Sequence, residues 1–112
     1  MICVKVYKTS DETVRKFELL GHAQFAEPGE DVVCAAVSAL VLNTINSIES
    51  FTDERYVTEC DEETGHILYE FREKPGPEAV LLVRSMLLGL QMIEESYGND
   101  YINILSEEVQ ES

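Results

Sequence analysis

The sequence predicts an α+β domain of two layers: two β-hairpins form a mainly antiparallel sheet with two long helices on one face, in the order ββαββα with a possible final strand. Three observations predict it. Short segments of alternating apolar residues come in two pairs, each joined by a polar turn. A helical period follows each pair. The 112 residues, 45% of them apolar, contain no low-complexity stretch and no repeat of diagnostic length, which suits a single domain spanning 1–112 that buries its own core.

Met1 to Lys8 alternates Ile2, Val4 and Val6 with Cys3, Lys5 and Tyr7, and Val14 to Leu20 follows the polar turn Thr9-Ser10-Asp11-Glu12, so the chain opens on a hairpin. Gly21 to Glu30 holds Gly21, Pro28 and Gly29 without periodicity and reads as a surface loop, ended by Asp31 as a helix N-cap. From Val32 to about Ser50 the pattern is helical and apolar nearly all round, which predicts a helix covered on most sides. Arg55 to Asp61 and His66 to Glu73 form the second hairpin around an acidic turn, with Tyr56, Val57, Ile67, Tyr69 and Phe71 as strand formers.

Pro77 suits a first helical position, and Glu78 to Tyr97 forms the second helix, closed by Gly98. Gly89 lies inside it at a cost of about 1 kcal/mol relative to Ala, which close packing on the first helix would offset. Tyr101 to Ser106 reads as the final strand, and the acidic end 107–112 is expected to fray. An exposed sheet face or edge asks for cover, and a homodimer would supply it.

Twenty-two acids against eight bases leave a formal charge of -14, which argues against direct nucleic-acid binding and favours a basic protein or peptide as partner. Cys3, Cys34 and Cys60 are odd in number and widely spaced, with no secretory leader before them, and read as thiols of a cytoplasmic protein. The longest near-continuous apolar run, Val32 to Leu42, is eleven residues, short of a bilayer span, so no membrane association is expected. Cys60 and His66 flank an acidic turn but lack the paired spacing of a metal site, so neither metal nor cofactor is expected.

The chemistry concentrates in Gly21-His22-Ala23 and the block Asp31 to Ser38. With Asp31 as cap, Cys34 is the third helical residue, where free N–H groups and the positive end of the helix dipole favour an anion such as a thiolate. Lys and Arg are absent from Phe17 through Glu54, which leaves His22, twelve residues before Cys34, as the local imidazolium partner. A thiolate that attacks an acyl carbon and an imidazolium that protonates the leaving amine make a Cys-His dyad. The backbone N–H groups of Cys34 and Ala35 are candidate oxyanion donors.

A cysteine inside an apolar helix is otherwise an inert small hydrophobe. Ser38, four residues on, either donates toward the sulfur or bonds back to the Cys34 carbonyl. Asp31 is either a structural cap, the stronger reading, or a carboxylate that orients His22 or a substrate cation. Seven acids in Glu49 to Glu63 against Arg55 alone form a solvated surface or a receptor for basic substrate residues.

Gly21-His22-Ala23 at a strand end, then Gly29-Glu30-Asp31-Val32-Val33-Cys34-Ala35-Ala36 opening a helix with Ser38-Ala39-Leu40, resembles the bacterial ribosomal-processing cysteine proteases. The likeness spans essentially the whole chain, including Leu90-Gln91-Met92-Ile93-Glu94-Glu95 before Tyr97. It implies an endopeptidase that removes an N-terminal extension from the twenty-seventh protein of the large ribosomal subunit, with His22 and Cys34 as the dyad and Asp31 and Ser38 in support. It also implies a homodimer, a loop of Ala23, Gln24, Phe25, Ala26, Glu27, Pro28, Gly29 and Glu30 that rearranges over the substrate, and a cut beside aromatic residues. The alternative is a non-catalytic acidic module that binds a basic ribosomal protein during assembly.

Overall fold

Seven elements follow the expected order, and the final strand is present: β1 (Ile2–Lys8), β2 (Val14–Leu20), α1 (Glu30–Phe51), β3 (Tyr56–Asp61), β4 (His66–Phe71), α2 (Pro77–Tyr97) and β5 (Ile102–Glu108). The computed structural model describes residues 2–21, 30–61 and 63–110, with Glu30 and Asp31 described in their backbone alone. The sheet order is β3-β4-β2-β1-β5, every pairing antiparallel except that of β5 with β1.

The register sorts side chains by face. Val4 opposes Leu19, Val6 opposes Phe17, Phe17 opposes Tyr69 and Leu19 opposes Ile67, and all of these are buried. Their neighbours Lys5, Tyr7, Lys16 and Glu18 occupy the opposite face, as the two-residue period of a strand requires. On that outer face the His66 ring meets the Glu18 carboxylate at 2.6 Å.

The helices close the inner face. From α1 come Val33, Val37, Val41, Ile45 and Ile48, and from α2 Ala79, Val83, Met86 and Leu90, both sets at helical spacing. Tyr69 centres the aromatic part of this core, stacked on Phe17 at 5.0 Å and Tyr56 at 4.8 Å and edge-on to Phe71 at 5.1 Å. Such pairs add about 0.5 to 1.5 kcal/mol each beyond burial.

Local chemistry sets the boundaries. Asp11 organises the β1–β2 turn by accepting from the Thr9 hydroxyl and from the Thr13 N–H. Pro77 opens α2, and the Gly98 N–H closes it onto the Glu94 carbonyl at 2.8 Å, with Gly98 at φ 91° where a side chain would be strained. Gly89 meets the expectation made of it: a Cβ there would lie 2.6 Å from Leu40 Cδ2, so α1 and α2 approach closely at this point.

Three expectations need correction. Far from being covered on most sides, α1 buries one stripe and leaves Val32, Leu42 and Phe51 exposed, because the sheet and α2 reach only part of its circumference. By length and composition Val32–Phe51 is apolar enough to cross a membrane, against the shorter run read from the sequence; here its buried stripe lies in the core. Glu107 and Glu108, expected to fray, belong to β5, where they pair with Tyr7 and Lys8, and the Val109 N–H continues the ladder to the Lys8 carbonyl at 2.8 Å.

Candidate active site

The topology brings Cys34 to one end of the sheet. The carboxyl end of β2 meets the amino ends of β1 and β4, since Leu20 opposes Cys3 and Leu19 opposes Ile67. The carboxyl end of β3 lies there too, with Cys60 opposite Ile67 and Asp61 opposite His66. At φ 113°, Gly21 turns the chain out of β2 in a conformation that a side chain would strain. The last turns of α1 lie by the amino end of β3, where Glu49 neighbours Tyr56, so this 22-residue helix starts toward the opposite end, where β3 finishes and β2 delivers Gly21.

Cys34 is half-buried and packs against the core beside the fully buried Val33 and Val37. Its sulfur is therefore neither sunk in hydrocarbon nor loose on the surface. Side chains on a helix lean toward its N-terminus, so the thiol sits back over the first turn of α1. Ser38 is half-buried four residues on and shares that face, while Ala35 is exposed.

The start of α1 changes two details of the sequence reading. The helix begins at Glu30, which makes Asp31 its second residue instead of its cap and Cys34 its fifth instead of its third. In an α-helix each N–H bonds the carbonyl four residues back, which assigns the Cys34 N–H to Glu30 and the Ala35 N–H to Asp31. Both expected oxyanion donors are thus engaged in the helix. The N–H groups of Glu30, Asp31 and Val32 are the ones left without a helical acceptor.

His22 and the loop residues Ala23 to Gly29 lie outside the described residues, as do the side chains of Glu30 and Asp31. Glu30, placed in the loop from sequence, has helical backbone. Cys60 and His66, weighed as metal ligands, stand on opposite faces: Cys60 faces Ile67 on the helix side, whereas His66 points outward to Glu18. Among the described residues no group of three or more His, Cys, Asp or Glu could hold a metal ion.

What the sequence reading lacked is the edge position of β3: this strand, read inside the acidic stretch, ends the sheet, is exposed along all but its first residue and carries Glu59 and Asp61 toward its carboxyl end. The signal was in the sequence as a charge run, but which strand forms the edge depends on distant residues.

A sheet-and-two-helix fold with a half-buried thiol on the first turns of the helix after β2 points to the cysteine proteases, and the family described as "Cysteine protease Prp" matches residues 1–103. Relatives agree over nearly the full length. The ribosomal processing cysteine protease Prp of Bacillus subtilis is 35% identical over 104 residues, 89% of this chain and 93% of that one. Its Staphylococcus aureus counterpart is 34% identical over 100 residues, 89% of this chain and 94% of that one.

Solved structures give the same result. The essential S. aureus protease Prp in complex with a substrate peptide superposes with a TM-score of 0.89 at 33% identity, over 96% of this chain and 100% of that one. The same S. aureus protease with a covalently linked product peptide gives 0.86 at 34% identity, again over 96% and 100%. This chain belongs to the Prp family of ribosomal processing cysteine proteases.

Proposed function

We propose that the chain is a cytoplasmic endopeptidase that removes the N-terminal extension of the twenty-seventh protein of the large ribosomal subunit, with Cys34 as nucleophile and His22 as its acid-base partner. Cys34 Sγ attacks the scissile carbonyl while His22 accepts the thiol proton and then delivers it to the leaving amine, which departs as the C–N bond breaks. Water, deprotonated by His22, attacks the resulting thioester, and the proton returns to sulfur as the C–S bond breaks.

Asp31 and Ser38 support this centre, and the segment from Ala23 to Glu30 closes over the bound peptide. The protein acts as a homodimer. Exposed apolar Leu81, Leu88 and Met92 along α2 favour such an association.

The observation that carries the reading is the position of Cys34 in a matched family: a half-buried thiol on the first turns of α1, at the end of the domain where the strand leading to His22 ends. The covalent product peptide on the S. aureus relative is the kind of adduct that a nucleophilic thiol leaves. The test is incubation with the full-length ribosomal precursor and mapping of any new N-terminus. Wild-type protein releases the extension, and Cys34→Ala and His22→Ala do not. An uncut precursor, or cleavage that survives Cys34→Ala, would overturn the reading.

The -14 charge favours a second reading, an acidic module that binds a basic ribosomal protein without cutting it. It predicts salt-sensitive binding that Cys34→Ala leaves unchanged, with no new N-terminus.

A further inference from the structure

We propose that β3 is a docking strand for the substrate: an extended basic peptide adds to its free edge as a sixth strand and continues past its carboxyl end toward Cys34. The inference rests on the endopeptidase reading and names how that site holds its peptide.

The hydrogen-bond geometry identifies the groups available. The Arg72 N–H bonds the Arg55 carbonyl at 2.9 Å, which makes this pair a hydrogen-bonded one. Antiparallel ladders alternate, so Val57, Glu59 and Asp61 also bond toward β4 across from Glu70, Leu68 and His66. The N–H and C=O groups of Tyr56, Thr58 and Cys60 then point away from the sheet. Among the described residues no strand pairs with them, because β3 ends the sheet order. Three outward residues offer a ladder to a peptide of about six residues, the arrangement of strand addition.

Charge and position select this edge over the other. Glu59 and Asp61 are exposed on β3 and lie toward its carboxyl end, the end of the sheet where α1 begins. Basic peptide residues opposite them would form cross-strand pairs of opposite charge. The other edge, β5, also ends in acids, but its parallel pairing with β1 puts Glu107 and Glu108 beside Tyr7 and Lys8, at the far end from Cys34. Furthermore α2 is the helix that packs on β5, and it packs on α1 in turn. The step from the sheet layer up to α1 is about 10 Å, which about three residues of extended chain span.

Charged residues on an edge strand also ward off aggregation, and that role predicts no effect on substrate. The experiment uses a synthetic peptide that spans the extension and the first residues of the precursor. Bound to the full-length Cys34→Ala variant, it slows amide exchange at Thr58 and Cys60, and slows alkylation of the exposed Cys60 thiol. With wild-type protein, N-methylation of the peptide backbone raises KM at every second residue of the docked stretch and not between. Glu59→Gln and Asp61→Asn each raise KM about two- to five-fold with kcat unchanged.

Absence of binding, protection along β5 in place of β3, N-methyl effects without alternation, or unchanged KM in both acid variants would each overturn the docking. Should the precursor be cut while Thr58 and Cys60 stay unprotected, the docking alone fails. Protection of that edge by a peptide that wild-type protein never cuts would keep the docking and remove the endopeptidase.

Discussion

Replacing Gly89 with Ala sets two effects of known size against each other. In an unobstructed helix interior the change stabilises by about 0.8 to 1 kcal/mol. Here the added methyl lands 2.6 Å from Leu40 Cδ2, 3.4 Å from Cδ1 and 3.6 Å from Cγ. Carbon atoms prefer about 3.5 to 4.0 Å, so one branch of Leu40 must retreat by about 1 Å. Overpacking of this kind costs about 1 to 3 kcal/mol. The difference is a net loss of about 0 to 2 kcal/mol, and a loss of 1 kcal/mol lowers Tm by roughly 4 °C in a domain of this size.

The sign reverses in a Leu40→Ala background, where the obstruction is gone and Gly89→Ala stabilises by about 1 kcal/mol. Urea denaturation of the four proteins of this cycle, with a common m-value, measures the coupling directly. If Gly89→Ala raises stability equally with Leu40 present and absent, the close approach of α1 and α2 is not what glycine serves there.

Two further predictions follow from the core and the first turn. The Tyr69 hydroxyl is buried with no hydrogen-bond partner among the described residues, so Tyr69→Phe should raise stability by about 1 kcal/mol in urea. Burial first, then the field of Tyr56, Glu54 and Glu49, raises the pKa of Tyr69 above the ordinary phenol value. A raised folded-state pKa means stability that is full below about pH 10 and is lost as pH rises through the folded value. Alkaline urea melts should show that slope in wild type and a reduced one in Tyr69→Phe. Asp11 is held below the usual carboxylate range by the Thr9 hydroxyl first, then by Lys74 and Thr13. Its contribution is present above about pH 4 and fades as pH falls through the lower folded value. Asp11→Asn should therefore be less stable than wild type at pH 7, and the gap in urea midpoint should close on acidification.

Much of the site and fold was legible because it is local. Alternation and turn residues located β2 at Val14–Leu20 to the residue, and Pro77 and Gly98 bracketed α2. The block around Cys34 was recognisable as the opening of a helix, although the helix starts two residues earlier than read, enough to engage the Cys34 amide along with that of Ala35. Cap residues signal a helix start only to within a residue or two, since several neighbouring amides compete for the same role.

By itself, then, the chain dictated its elements, the alternating faces of its first hairpin and the cysteine on α1, because steric preference and hydrophobic period act between residues a few positions apart. Only the tertiary structure decided that β5 runs parallel beside β1, that β3 is left as an edge, and that Cys60 and His66 face opposite ways. Those outcomes depend on which distant strands share hydrogen bonds, and on a register in which a shift of one residue exchanges the two faces of a sheet.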